Sequence, residues 1–141
     1  EKIPQIHPDP LAILDLSSTK STIVDAMNQL PEGFTALGGH PMCGKETSGI
    51  EVADPALYQE RTFILSPLPR TSERALALGA ALARAVGAIP LVIEAARQDY
   101  LVGTISHLPY LLACGLVATA DATTCLATAI SERPMRPSPK P

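Results

Sequence analysis

Tryptophan is absent from this chain, and two phenylalanines and three tyrosines leave aromatics at 4% of its 141 residues. Hydrophobic residues still reach 46%, so a core has to be assembled chiefly from Ala and Leu, a composition that favours helices. No basic cluster exists either. Eleven Lys and Arg stand against 14 Asp and Glu for a net charge of −3, which gives nucleic acid little electrostatic purchase. The three cysteines, Cys43, Cys114 and Cys125, are odd in number and irregularly spaced. They make no disulfide framework and point to a reducing cytoplasm. With no Cys-x-x-Cys pair, His40, Cys43, His107 and Cys114 are a weak zinc set, and no metal is expected. Residues 1–10 are polar and proline-punctuated, without the apolar run of a secretory signal.

The length suits one modest domain or parts of two. Leu11 to Leu16 is a short apolar run that reads as a buried strand. Thr19 to Leu30 follows with helical spacing of Ile23, Met27 and Leu30, its first turn capped by Ser18 or Thr19. Pro31-Glu32-Gly33 ends that helix and Phe34 to Leu37 begins a second strand. Arg61 to Ser66 and Ile89 to Ile93 are further strands, separated by an alanine-rich helix from Thr71 to Val86, capped by Thr71 or Ser72. From Ala95 to about Ile130 the chain reads as helical, with Asp99, Gly103, Ser106 and Tyr110 forming a polar seam and Pro109 the expected point of irregularity. Leu101 to Ala120 is long enough to span a bilayer. Ser106, His107 and Pro109 in its middle and the lack of flanking Lys/Arg anchors favour a buried helix of a soluble domain, with no membrane partner. Four prolines in 131–141 predict a disordered tail.

Strand–helix–strand order implies a parallel pair, with Ser18 and His40 both at the carboxyl edge of one sheet, where open α/β sheets bind ligands. His40 is the leading candidate for chemistry. It is placed in a glycine-rich turn, where Gly38 and Gly39 would let another molecule approach the backbone, and imidazole is matched to proton transfer near neutral pH. Gly39-x-x-x-x-Gly44-Lys45 matches the opening of a phosphate-binding loop, but Glu46 stands where Ser or Thr would bind magnesium, and Pro41 removes a backbone donor.

Four motifs in order, Asp15-Leu16-Ser17-Ser18-Thr19-Lys20, Gly38-Gly39-His40-Pro41-Met42, Ser48-Gly49-Ile50-Glu51 and Ser106-His107-Leu108-Pro109, resemble prephenate dehydrogenases and their arogenate-using relatives. The resemblance covers Leu11 to about Ala120. It implies an α/β fold: the C-terminal half of a Rossmann-like NAD(P)-binding domain at 1–94, then at 95–130 the start of a helical domain that forms a homodimer. The implied reaction, in tyrosine biosynthesis, is oxidative decarboxylation of prephenate or arogenate with hydride transfer to NAD or NADP. By resemblance, His40 accepts the hydrogen bond and then the proton of the substrate 4-hydroxyl, and Ser18 binds the same hydroxyl. Cofactor contacts are expected at Ser17, Ser18 and Met42, and substrate contacts at Glu46, His107 and Tyr110.

Departures from the family pattern are also visible. Gln98-Asp99 stands where the family commonly has His-Asp, and Tyr110 where it often has a second histidine. The family's arginine for the substrate carboxylate has no counterpart before Pro141. None of the nine glycines forms the Gly-x-Gly-x-x-Gly nucleotide fingerprint, which is expected upstream of Leu11. The chain therefore reads as an internal segment that alone binds NAD(P) poorly and turns over little. The competing expectation is a non-catalytic module that associates through its apolar helix.

Overall fold

The computed structural model of the protein describes residues 2–7 and 9–131. Beyond Ser131, the expected tail lies outside them. The chain divides into two compact units, Glu1–Val102 and Gly103–Pro141.

The first unit opens with a short helix, α1 (Ile3–Ile6), and is built on four strands, β1 (Ala12–Asp15), β2 (Thr35–Pro41), β3 (Thr62–Pro67) and β4 (Ile89–Val92), in spatial order β1-β2-β3-β4. Helix α2 (Ser21–Asn28) connects β1 to β2, which pair in parallel with Leu14 beside Leu37. Helix α3 (Glu73–Ala85) likewise connects the parallel pair β3 and β4, and β2 meets β3 antiparallel. Two strand–helix–strand units thus share one mixed sheet.

Alternation along the strands separates two cores, because successive side chains leave opposite faces. Ala36 packs with Val24 and Met27 of α2 and with Leu68 and Ala95, joined by Ile13. Leu37 packs on the other face with Phe63, Leu65, Ala83 and Ala88, joined by Leu14. Gly79, in the interior of α3, has a packing reason to be there. A Cβ at that position would lie 2.4 Å from Leu37 Cδ2, so its absence lets the helix settle on β2.

Several expectations shift. β2 does not stop at Leu37 but runs to Pro41, so Gly38, Gly39 and His40 lie within a strand and not in a turn. The cause is β3, which offers an antiparallel partner to Gly39, His40 and Pro41. Both glycines are buried. A Cβ on Gly38 would come 3.0 Å from Lys20 Cδ, and one on Gly39 would come 3.0 Å from the Asp15 carbonyl. They make room for the protein's own chain rather than for a visitor.

Neither Ser18 nor Thr19 caps α2. Its first turn carries no cap from its own segment. Instead the Asp99 carboxylate, on α4 (Ala95–Val102), accepts from the Lys20 and Ser21 N–H groups at 2.6 and 2.8 Å. Ser72 does cap α3, accepting from Ala75 N–H at 3.2 Å, while Thr71 donates to the Ala36 carbonyl. Ala95, Gln98 and Val102 of α4 are buried within the first unit, which runs to Val102.

The second unit has a π-helical segment, Gly103–His107, followed by α5 (Leu108–Ser131). The wide turn ends just before Pro109, which cannot donate to the Ile105 carbonyl. Ala95–Thr124 is long and apolar enough to cross a membrane by length and composition, with mean hydropathy 1.6. Within this chain its C-terminal part is not the buried helix expected: Leu111, Leu112, Leu116 and Val117 are all more than 60% exposed. Among the described residues, the unit adds only the π-helical segment Gly103–His107 to this helix.

Two stability predictions follow from these contacts. Asp99→Ala should lower stability at pH 7 by about 1 kcal/mol, the usual worth of a helix cap. Burial alone would raise the Asp99 carboxyl, but hydrogen bonds from Ser21 and Lys20 and the Lys20 charge hold it below the ordinary value. Its contribution is therefore present above an unfolded pKa of about 3.9 and is lost as pH falls through the lower folded value. Urea melts at neutral and strongly acidic pH should show the wild-type and mutant curves converging in acid. Gly79→Val should cost about 1–3 kcal/mol by overpacking against Leu37, read as a lower denaturation midpoint at unchanged slope.

Candidate active site

β1 ends at Asp15, and residues 16–20 follow at the carboxyl end of the parallel pair β1 and β2 before α2 begins. That segment is tied down by a fully buried lysine. Lys20 Nζ donates to Asp15 Oδ2 at 2.6 Å, to Ser17 Oγ at 3.0 Å and to the Thr19 carbonyl at 3.3 Å, and it also contacts the Ser17 carbonyl. Burial would push the Asp15 carboxyl up, but hydrogen bonds from Lys20 and Ser17 outweigh it and hold the group below the ordinary carboxylate value. Ser17 Oγ sits 2.8 Å from Asp15 Oδ2 and 2.9 Å from the Thr19 carbonyl. Its hydroxyl is turned inward, and it is Ser18 that is exposed.

His40 lies one residue from the end of β2, half-buried. Its Nδ1 is 3.4 Å from Gln98 Nε2. The same Nε2 donates to the Ser18 carbonyl at 3.2 Å, and Gln98 Oε1 accepts from Ser66 Oγ at 2.7 Å. One buried carboxamide therefore joins the loop after β1, the end of β2, and β3. Of the two residues expected to share the carboxyl edge, Ser18 reaches Gln98 with its main-chain carbonyl and His40 with its ring. They meet through Gln98.

Met42, directly beyond β2, is half-buried and donates its N–H to the Thr62 carbonyl at 2.8 Å. Cys43 beside it has its thiol pushed up by burial, which the nearby Arg61 only partly offsets. Glu46 is exposed. Lys45 pairs with Asp54 at 3.0 Å, and no helix follows Gly44-Lys45 until the short turn at Ile50–Val52. With Gly39 inside a strand as well, the phosphate-loop reading is removed. His107 and Tyr110 belong to the second unit and are exposed. Among the described residues no three of His, Cys, Asp and Glu gather into a cluster that could hold a metal ion.

Sequence reasoning missed the parts played by Gln98, Lys20 and Ser66. A signal for Gln98 was present: Ala95, Gln98 and Val102, at i, i+3 and i+7, are the buried positions of α4. A polar residue in an apolar stripe of that spacing has to be satisfied inside the protein. The expected seam through Asp99 is set one residue along from this stripe.

The model of the nucleotide-binding domain of prephenate dehydrogenase matches residues 1–91. A prephenate dehydrogenase of Lactococcus lactis is 36% identical over 115 residues, which is 80% of this chain but 30% of that protein. The crystal structure of prephenate dehydrogenase from Aquifex aeolicus with hydroxyphenyl propionate and NAD+ is similar with a TM-score of 0.70 at 34% identity, over 77% of this chain and 37% of that one. Synechocystis arogenate dehydrogenase gives a TM-score of 0.66 at 30% identity, over 77% and 38% respectively. The chain thus spans less than half the length of each of these relatives. The family match spans well over half of the chain, and the chain belongs to the prephenate dehydrogenase family through its nucleotide-binding domain.

Proposed function

We propose that this chain serves the oxidative decarboxylation of prephenate or arogenate in tyrosine biosynthesis, with His40 as proton acceptor. The observation that carries the reading is that the Ser18 carbonyl and the His40 ring both lie against Gln98 where β1 and β2 end. Relatives with the same domain are prephenate and arogenate dehydrogenases, and one of them binds NAD+. The reducing cytoplasm is the proposed location, in keeping with free Cys43 and Cys114.

The residues present suit the nicotinamide end of NAD(P): an exposed Ser18 and a half-buried Met42 flank His40 at the strand ends. The bound cofactor would supply the hydride acceptor. Oxidation of a carbinol builds positive character on its carbon, so a neutral imidazole at the hydroxyl lowers the barrier by taking up the proton. Ser18 would hold the same hydroxyl, and Ser17, turned inward, would keep the loop in place. Roles for Glu46, His107 and Tyr110 in substrate binding rest on the sequence motifs alone. The apolar surface of α5 is proposed to be covered by a second copy of the chain, since burying exposed leucines is the main favourable term in such association.

In steady-state assays of NAD(P)H formation from prephenate by an intact enzyme that carries this segment, His40→Asn should lower kcat by about 10²–10⁴-fold, the usual worth of general-base help. Nucleotide affinity should stay unchanged, and retained turnover removes His40 from the role. For the association, the double substitution Leu112→Lys with Leu116→Lys should convert a dimer to a monomer in sedimentation experiments. A wild-type chain that sediments as a monomer at all concentrations sinks that part.

A further inference from the structure

We infer that Gln98 is a positioning residue for His40 and decides which ring nitrogen carries the hydrogen. The relevance of this to turnover rests on the proposed role of His40; the tautomer itself does not.

The orientation of the Gln98 carboxamide is set by what surrounds it. Gln98 is fully buried. The Ser18 carbonyl, 3.2 Å from one end, can only accept, so that end has to be the NH2 group. The other end, Oε1, accepts from Ser66 Oγ at 2.7 Å. A hydroxyl could serve either orientation, so the Ser18 carbonyl is the discriminating neighbour. The second amide hydrogen is then available to His40 Nδ1 at 3.4 Å. This is a long bond, but the alternative is an N–H facing an N–H, so a weak attraction is enough to choose. A neutral imidazole whose Nδ1 accepts carries its hydrogen on Nε2. Reversing the amide would bring Oε1 against the Ser18 carbonyl, leaving two acceptors without a hydrogen between them in a buried site.

A ring held in this way presents N–H, not a lone pair, at Nε2. Taking a hydroxyl proton at Nε2 requires the hydrogen on Nδ1 with an acceptor facing it. Gln98 supplies that acceptor only after a half-turn that gives up the Ser18 carbonyl. The proton-accepting form of His40 is therefore coupled to the loop after β1.

The test is a long-range 1H–15N correlation spectrum of the imidazole rings in the uniformly labelled full chain, without ligand, at a pH where the rings are neutral. His40→Asn assigns the His40 signals. In the wild type, Nε2 should be protonated, with Nδ1 shifted as a hydrogen-bonded acceptor. Gln98→Met removes that donor and should shift the Nδ1 signal from its wild-type position. Gln98→Glu places a carboxylate there and should move the hydrogen to Nδ1. Wild-type His40 protonated on Nδ1, or an unchanged Nδ1 signal in folded Gln98→Met, overturns the inference. So does a Gln98→Glu protein that keeps its hydrogen on Nε2. Amide dispersion reports whether each variant folds, and where Gln98→Met does not, the wild-type and Gln98→Glu spectra decide. A confirmed tautomer together with full turnover in His40→Asn would sink the proposed function and leave this inference standing.

Discussion

Two consecutive side chains of α4 hold together the region where β1 and β2 end. Successive residues on a helix point about 100° apart, so Gln98 and Asp99 can reach different targets from one turn. Gln98 enters the core and joins the loop after β1 to the ends of β2 and β3. Asp99 turns to the start of α2 and accepts from two of its orphan N–H groups. The negative carboxylate also suits the positive end of that helix. The two contacts fix the same segment from both sides, since the residues between β1 and α2 carry Ser18 at one point and Lys20 at another. Loosening α4 would release both at once.

The cluster is polar, yet it sits inside the fold, and its members are satisfied. Lys20 is enclosed but paired with Asp15 and surrounded by oxygens, and among the described residues no buried side-chain nitrogen or oxygen lacks a partner. Burying a charge is costly unless it is paired and hydrogen-bonded, so these contacts offset a penalty more than they add stability. What they provide is definition. Gly38 belongs to this arrangement, because its missing side chain leaves the space that the Lys20 stem occupies. The glycines before His40 are thus part of how the lysine is housed and, through the lysine, of how the Ser18 loop is shaped.

Much of this was legible in the residues. The apolar run at Leu11 to Leu16, the helical spacing after it and the turn at Pro31-Glu32-Gly33 gave β1, α2 and the start of β2 in parallel register, because periodicity and turn chemistry are local properties. His40 and Ser18 stood out for their chemistry, and the parallel connection was enough to bring them to one edge. The end of β2 was misplaced because a strand stops where its partner stops, and the partner of Gly39 to Pro41 is β3, more than twenty residues away. The cap of α2 was misplaced for a similar reason. Ser18 and Thr19 are good local caps, but a carboxylate 78 residues away in sequence supplies the contact.

What the sequence determined by itself is the identity of the chemical groups, the α/β alternation and the family to which the chain belongs. These depend on side-chain type, short-range spacing and the order of motifs, all of which survive without coordinates. Tertiary structure alone decided that Gln98 lies between Ser18 and His40, that Ser17 faces inward while Ser18 faces out, and that α4 belongs to the sheet unit. Each of these turns on distances between residues far apart in the chain, where a shift of a few ångströms separates a hydrogen bond from no contact. Short-range pattern cannot encode that difference; the packing of α4 against the sheet does.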